Sequence, residues 1–279
     1  MYRIAKVLNH NALIGVEKEN AQEFLVMGKG IAFGKKVGQE LEPDEAAQVY
    51  SLTERTERGR AKEIVKEVSP VSLELAGAVL DEAEKEFGRI DRSILFPMAD
   101  HLDFAIRRIK NGEQISNPLT EDIRVMFYKE YKVAACIRPL LKERFDIEID
   151  EHEIGYIALH VHSAIVDENV SQAMEIARAV RESISLVEQI TGNSIDVMSL
   201  SYNRLMNHIR CMVARIVSGE KLKMNINDYM SVKFPEAFQA AQTICDEISQ
   251  RLKLPVEEVE IGYLAMHMER MMDREEEEE

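Results

Sequence analysis

Four of the seven histidines recur at one fixed spacing, and they are the side chains best suited to chemistry. His101 and His208 lie 107 positions apart, as do His160 and His267. An imidazole can act as a general base, a metal ligand or a phosphoryl acceptor. On a helical wheel each ring lies at the flank of an apolar stripe, where packing would hold it and a partner could still reach it.

A purely structural role and a metal site are the alternatives at these positions. Any single histidine at such a border can simply fill a helix flank, and duplication copies structural residues as well as functional ones. A metal site is disfavoured because HExxH and CxxC are both missing, and His160 and His162 would point about 200° apart on a helix. The order Asp100-His101 is also the reverse of the pair that metal-dependent phosphohydrolases use. We therefore predict no metal and no cofactor.

The histidines belong to an internal repeat. The segment EIGYIALH at 153–160 recurs as EIGYLAMH at 260–267, and DHLDFAIRRI at 100–109 aligns without a gap on NHIRCMVARI at 207–216. Apolar spacings of three and four, punctuated by prolines, predict helices from about residue 58 onward. One helical domain therefore occurs twice in the chain.

The leading segment has a different pattern. Short apolar runs at 4–8, 12–16, 23–27 and 48–52 are separated by turns rich in Asn and Gly, which is typical of a small antiparallel sheet. About fifty residues enclose only a thin core, so we expect this module to be marginal alone and to dimerise.

Together these patterns predict a multidomain α+β protein. A small four-stranded antiparallel β-sheet domain is followed by two homologous all-α helical bundles. We assign 1–56 to the sheet domain, 57–64 to a polar linker, and 65–170 and 171–279 to the bundles. The run EEEEE at 275–279 is expected to be a disordered acidic tail.

Charge is distributed unevenly. The net charge of −15 disfavours a polyanionic partner for the chain as a whole. Residues 1–38 nevertheless carry six Lys or Arg and three Glu, which gives +3 there and −18 in the remainder. A basic module is thus attached to an acidic body. The sequence also lacks a long apolar run and a secretion signal, and its three cysteines are scattered, so we predict a cytoplasmic protein without membrane insertion.

These motifs resemble the BglG/SacY family of transcriptional antiterminators over essentially the whole chain. IAKVLNHN and VMGKGIAFGKK resemble its co-antiterminator RNA-binding domain. DHLDFAI and EIGYIALHVHSA resemble its first PTS regulation domain, named for the sugar phosphotransferase system, and NHIRCMVARI and EIGYLAMHMER resemble the second. The resemblance implies a homodimer that binds a leader-mRNA hairpin, the ribonucleic antiterminator, and so prevents intrinsic termination upstream of sugar-utilisation genes.

The resemblance places Asn11, Gly28, Lys29 and Phe33 on positions that contact RNA. The residue types agree: a Phe can stack on an unpaired base, lysines neutralise phosphates, and glycines allow close backbone approach. Each residue type also fits a structural role, as core, solvated turn or hairpin geometry. Lys29 stands where some members carry Arg, and a lysine lacks the planar fork for bidentate recognition. The full predicted RNA-binding set is Lys6, Asn11, Gly28, Lys29, Gly30, Phe33 and Lys35.

The resemblance also implies that all four repeated histidines are phosphorylation sites. His101 and His160 would receive phosphate from a sugar-specific transporter component (EIIB), which generally inactivates. His208 and His267 would receive it from the phosphocarrier HPr, which generally activates. Since Asn207 replaces the equivalent of Asp100, the two sites are electrostatically unequal. His162 has no counterpart in the second repeat, where Glu269 stands, and is given no role.

Two other classes of function require sequence motifs that this chain does not show. A helical histidine-dependent phosphotransfer enzyme or metal-dependent hydrolase would need a nucleophile or ligand motif, and none is present in the sequence. A DNA-binding regulator would need an N-terminal helix-turn-helix, which the strand-like first fifty residues disfavour. We therefore predict a non-enzymatic RNA-binding regulator, with no DNA partner.

Overall fold

The computed structural model describes four stretches of the chain, which are residues 1–56, 59–166, 168–192 and 199–272. These residues form two compact units. The first comprises Met1–Thr120 and Phe127–Val170, and the second comprises Glu121–Met126 and Ser171–Glu279. The acidic run expected to be a tail lies outside the described residues.

An antiparallel sheet begins the first unit and confirms the fold class predicted for this segment. The strands are β1 (Tyr2–Val7), β2 (Ala12–Glu17), β3 (Glu23–Met27), β4 (Glu40–Leu41), β5 (Gln48–Ser51), β6 (Arg55–Thr56) and β7 (Gly59–Arg60). The first five form one sheet in the order β4-β1-β2-β3-β5, and β6 and β7 form a separate two-stranded hairpin. The sheet has one strand more than the four predicted, because the two-residue strand β4 pairs with β1 at its edge.

Both faces of this sheet are covered. Because side chains alternate along a strand, Leu13 and Val26 point to one face, where they form a core with Ile4. Leu25 and Tyr50 are buried on the opposite face. There the Tyr50 ring meets that of Phe96 with centroids 6.0 Å apart, so the first helices cover this side of the sheet.

The described residues of the first unit also form six α-helices and a short 3-10 turn (Arg92–Ile94). The helices are α1 (Ala61–Glu67), α2 (Pro70–Phe87), α3 (Leu95–Lys110), α5 (Tyr128–Ala134), α6 (Ile137–Phe145) and α7 (Glu151–Ile165). Side-chain caps explain where two of them begin: Ser69 caps α2 by accepting from the Ser72 N–H, and Asp150 caps α7 by accepting from the Glu153 N–H.

The second unit is helical throughout its described residues. A short segment from earlier in the chain joins it, because Asp122 accepts a hydrogen bond from the Tyr202 hydroxyl at 3.5 Å. The helices are α4 (Thr120–Met126), α8 (Val170–Thr191), α9 (Leu200–Ser218), α10 (Asn227–Lys233), α11 (Pro235–Leu252) and α12 (Val259–Met272). Within the described residues of either unit, no helix combines the length and apolarity needed to span a bilayer.

Candidate functional sites

A glycine-rich turn after β3 is fastened to the β1–β2 turn. The Asn11 side-chain oxygen accepts from the Gly30 N–H at 2.8 Å, and the Asn11 carbonyl accepts from the Gly28 N–H at 2.9 Å. A third bond joins the Ala32 N–H to the His10 carbonyl at 3.0 Å. Gly30 adopts φ +70°, a conformation that a residue with a side chain rarely adopts. The structure thus brings Asn11, Gly28 and Gly30 together in one turn.

This fastened turn presents an aromatic ring to solvent. Phe33 is 70% exposed, and its ring lies edge-on to that of His10 with centroids 5.3 Å apart. Lys29 and Lys35, on the same turn, are exposed, as is Lys6 on β1. An exposed aromatic side chain flanked by ammonium groups can stack on a base while the lysines neutralise nearby phosphates.

Two contacts of this surface reach the helices. The Asn9 and Asn11 side-chain amides both donate to Oε1 of Glu74 on α2, at 2.6 and 3.2 Å. The other oxygen of Glu74 accepts from Arg144 at 2.7 Å. Sequence reasoning missed Asn9 and Glu74, because no pattern relates a residue in the first turn to one 65 positions later.

The first histidine pair lies between α3 and α7. The His101 and His160 rings have centroids 5.5 Å apart, and His101 Nε2 lies 3.2 Å from Glu153 Oε2. The other oxygen of Glu153 accepts from Arg108. Burial would raise the pKa of Glu153, but the neighbouring His101 and Arg108 outweigh it and lower that pKa. A carboxylate at Nε2 favours the tautomer with its proton there, which leaves the nucleophilic lone pair on Nδ1.

The second pair lies between α9 and α12. The His208 and His267 rings have centroids 4.5 Å apart. Glu260 binds Arg215 with both oxygens, each at 2.8 Å. Burial, helped by His267 and Arg215, lowers the pKa of His208 to about 3. The pKa of His267 is lowered as well, mainly by burial and to a smaller extent by the positive charge of Arg270. Both rings are therefore neutral at pH 7, and each keeps a lone pair that can attack a phosphoryl group.

The first histidine pair is less exposed than its predicted position at the flank of an apolar helix stripe implied. His160 is buried, at 5% exposed, while the His101 side chain retains 11%. His162 is buried too and lies 3.1 Å from Glu130, with its ring against Phe127. Among the described residues, no group of three or more His, Cys, Asp or Glu side chains is arranged to hold a metal ion.

The paired histidines have partners that sequence reasoning did not select. Glu153 and Glu260 occupy equivalent repeat positions, and so do Arg108 and Arg215. The signal was available, since the acids begin the repeated EIGY segment and each arginine follows its histidine by seven residues. Two turns of helix place residues at that spacing on one face, which is why each arginine reaches the site.

Comparison with known proteins agrees with these two kinds of site. The model of the PRD domain matches residues 73–164 and 181–271, and the model of the CAT RNA binding domain matches residues 2–59. The chain belongs to the BglG/SacY family of transcriptional antiterminators. Its N-terminal sheet is thus an RNA-binding module, and the chain is an antiterminator regulated through the sugar phosphotransferase system. The predicted family and function are confirmed.

Relatives within the family align over nearly their full length. The GlcA/glcB genes antiterminator of Staphylococcus carnosus is 29% identical over 96% of this chain and 94% of its own. The transcription antiterminator LicT of Bacillus subtilis is 26% identical over 97% and 99%. A crystal structure of GlcT CAT-PRDI is 27% identical and covers 59% of this chain and 98% of its own, with a TM-score of 0.50. Both relatives found by sequence are named as antiterminators.

Proposed function

We propose that the chain acts as a cytoplasmic homodimer that binds a leader-mRNA hairpin and prevents termination upstream of sugar-utilisation genes. The observation that carries this proposal is the fastened turn, in which Asn11 holds Gly30 and Phe33 stands 70% exposed. The RNA-binding set of Lys6, Asn11, Gly28, Lys29, Gly30, Phe33 and Lys35 is exposed or half-buried. A stacking ring among cations suits the unpaired bases of a hairpin better than a regular duplex.

A gel-shift titration with a labelled leader stem-loop tests the surface. Phe33→Ala should weaken binding by roughly 5- to 150-fold, since one base–aromatic stack contributes about 1–3 kcal/mol. Val37→Ala is the matched control, because Val37 lies on the same turn and is 65% exposed but has no ring to stack. The control should stay within about twofold of wild type. Equal effects of the two substitutions would show that Phe33 does not contact a base.

We further propose that His101, His160, His208 and His267 accept phosphoryl groups. In each transfer the imidazole lone pair forms a bond to phosphorus while the bond from phosphorus to the donor side chain breaks, and the donor atom that leaves keeps the electron pair. EIIB would supply the first pair and HPr the second. Neutral, half-buried rings at His208 and His267, and the carboxylate beside His101, support this role.

Mass spectrometry without acid tests this assignment. After incubation with phosphorylated HPr, phosphohistidine should appear at His208 or His267, and after incubation with phosphorylated EIIB at His101 or His160. His10, which is exposed, is an internal control and should remain unmodified. If all four sites stay unmodified with both donors, the phosphorylation proposal is wrong, whereas the RNA-binding proposal would stand.

The domain boundaries 1–56, 57–64, 65–170 and 171–279 form part of the proposal. The matched models, at 2–59, 73–164 and 181–271, support three domains in this order. Helix α1 begins within the segment assigned to the linker, at Ala61. Limited proteolysis of the full chain should therefore cut first between residues 54 and 60 rather than between 61 and 67.

A further inference from the structure

Glu74 occupies the hydrogen-bond donors of the RNA-binding surface. It projects from α2, in the first helical bundle, and its side chain is only 14% exposed. One oxygen accepts from both Asn9 and Asn11, and the other accepts from Arg144 on α6. A single carboxylate thus joins the turn of the sheet module to two helices of the regulatory bundle.

The amide of Asn11 has little bonding capacity left in this arrangement. Its oxygen accepts from Gly30, and one Nδ2 proton is committed to Glu74. Asn9 is constrained as well, because its oxygen accepts from the Asn11 N–H at 2.8 Å while its Nδ2 donates to Glu74. These bonds fix the Asn11 side chain with its amide nitrogen facing the carboxylate.

The negative charge of Glu74 opposes the binding of a phosphate backbone at Asn9 and Asn11. A carboxylate beside the RNA-binding turn repels phosphate oxygens, whereas the lysines around it attract them. Hydrogen bonds to a charged acceptor are stronger than those to a neutral one, so RNA must replace a favourable interaction to use the same amide. The pairing with Arg144 holds the carboxylate in place.

Further contacts between the sheet and the first bundle lie along α2. Gly77 lies one turn after Glu74, and a Cβ added there would lie 3.7 Å from the methyl group of Met27 on β3. Farther along, Arg92 donates to the Tyr50 hydroxyl at 3.1 Å and pairs with Asp81 of α2 at 2.6 Å. The sheet is therefore docked on the first bundle along α2, and Glu74 is the part of that docking surface that touches the RNA-binding turn.

We propose that Glu74 and RNA compete for the amides of Asn9 and Asn11, so that the first bundle restrains RNA binding through this carboxylate. The inference rests on the proposed role of Asn11 in RNA binding and adds how the regulatory bundle controls it. Release of Glu74 frees the amides and removes the repelling charge. A rearrangement of α2 or α6 in the first bundle thereby changes RNA affinity without altering any RNA-contacting residue.

Gel-shift titrations of the full chain with the leader stem-loop test the competition. Glu74→Gln keeps the side-chain shape but removes the charge and the pairing with Arg144, and it should strengthen binding by about tenfold. Glu82→Gln is the matched control, since it removes the same charge from the same helix at an ion pair with Lys85. The control should change affinity by less than twofold, because a general gain from lost negative charge would appear in both variants.

A second pair of variants separates this inference from the proposed function. Asn11→Ala should weaken binding in the wild-type background and reduce the gain that Glu74→Gln gives. If Asn11→Ala has no effect in either background, Asn11 does not bind RNA and the proposed surface is wrong at that position. If Asn11→Ala weakens binding but Glu74→Gln fails to strengthen it, the competition is disproved while the RNA-binding surface stands.

Nuclear magnetic resonance of the side-chain amides gives a readout that does not depend on affinity. The Asn9 and Asn11 Nδ2 signals should shift in Glu74→Gln, and adding the stem-loop to the wild-type chain should move the Asn11 signals away from their carboxylate-bound position. Signals that stay unchanged when RNA saturates the protein would mean that Glu74 remains bonded, which overturns the proposal even if Glu74→Gln alters stability.

Discussion

The two histidine sites contain equivalent residues in different bonding arrangements. In the first repeat, Glu153 divides its oxygens between Arg108 and His101. In the second, Glu260 gives both oxygens to Arg215, and no carboxylate contact to His208 is seen among the described residues. The same acid therefore serves as a histidine partner in one bundle and solely as an arginine partner in the other.

This difference changes the electrostatic surroundings of each histidine. The Glu153 carboxylate lies 3.2 Å from His101 Nε2. His208 faces another imidazole and the Arg215 charge instead, and its pKa falls to about 3. The two copies of one bundle thus place equivalent histidines in different electrostatic surroundings.

The largest expected effect comes from removing the shared carboxylate in the second repeat. Glu260→Gln should destabilise the chain by about 3–5 kcal/mol, because it leaves the Arg215 guanidinium without its bidentate partner in a mostly buried site. Glu153→Gln should cost less, about 1–2 kcal/mol, since the amide oxygen can still accept from Arg108 and the amide nitrogen can donate to His101.

Urea unfolding of the full chain measures both values. Glu247→Gln is the control, because Glu247 is exposed on α11, and its substitution should change the unfolding free energy by less than about 0.5 kcal/mol. Equal costs for Glu260→Gln and Glu153→Gln would contradict the idea that the two carboxylates are bonded differently.

The second expected effect is an acid sensitivity that belongs to His208. Its pKa falls from the ordinary 6.5 to about 3 on folding, so below pH 6.5 the unfolded chain binds a proton that the folded chain does not. The contribution is therefore complete above pH 6.5 and is lost progressively as the pH falls toward 3. At pH 5 the loss is about 2 kcal/mol for this one group.

The comparison of wild type with His208→Gln isolates that contribution. The variant lacks the imidazole, so its unfolding free energy should fall by about 2 kcal/mol less than that of wild type between pH 7 and pH 5. Parallel pH profiles for the two proteins would show that burial does not lower the pKa of His208 in the folded bundle.

Sequence patterns predicted the histidines that the two sites have in common, but not the bonding partners in which the two sites differ. The repeat offset identified His101, His160, His208 and His267, because a duplication is visible as identity at one spacing. The alternation of apolar residues located the main strands, whereas β4, with two residues, is too short to leave a pattern.

The sequence did not predict which partner each of these polar side chains would bond. Glu153 and Glu260 follow the same motif, and only packing decides that one oxygen of Glu153 turns to His101. The contact of Asn9 with Glu74 is similar, since it joins segments whose separation in sequence carries no periodic signal. Such contacts depend on how elements dock, which local propensity does not encode.

The smallest expected effect concerns the position two residues after the first histidine of each repeat. Asp103 is buried and accepts from the Ser69 N–H at 2.9 Å and the Ser72 hydroxyl at 2.8 Å, at the start of α2. Burial opposes its charge, but these hydrogen bonds and Arg107 outweigh burial and lower the pKa of Asp103. The equivalent residue in the second repeat is Arg210, which cannot accept such bonds.

Asp103→Asn should therefore cost about 1–2 kcal/mol of stability, whereas Arg210→Gln should stay within about 0.5 kcal/mol, in matched urea unfolding experiments. The Asp103 contribution is present above its ordinary pKa of 3.8 and is lost below it, so the gap between Asp103→Asn and wild type should be constant from pH 7 to pH 5. The stability contributed by His208 does change between pH 7 and pH 5, whereas that of Asp103 does not, so the pH dependence distinguishes the two contributions. A gap that narrows between pH 7 and pH 5 would mean that the Asp103 carboxylate takes up a proton in that interval, which contradicts a pKa lowered below 3.8 by its hydrogen bonds and Arg107.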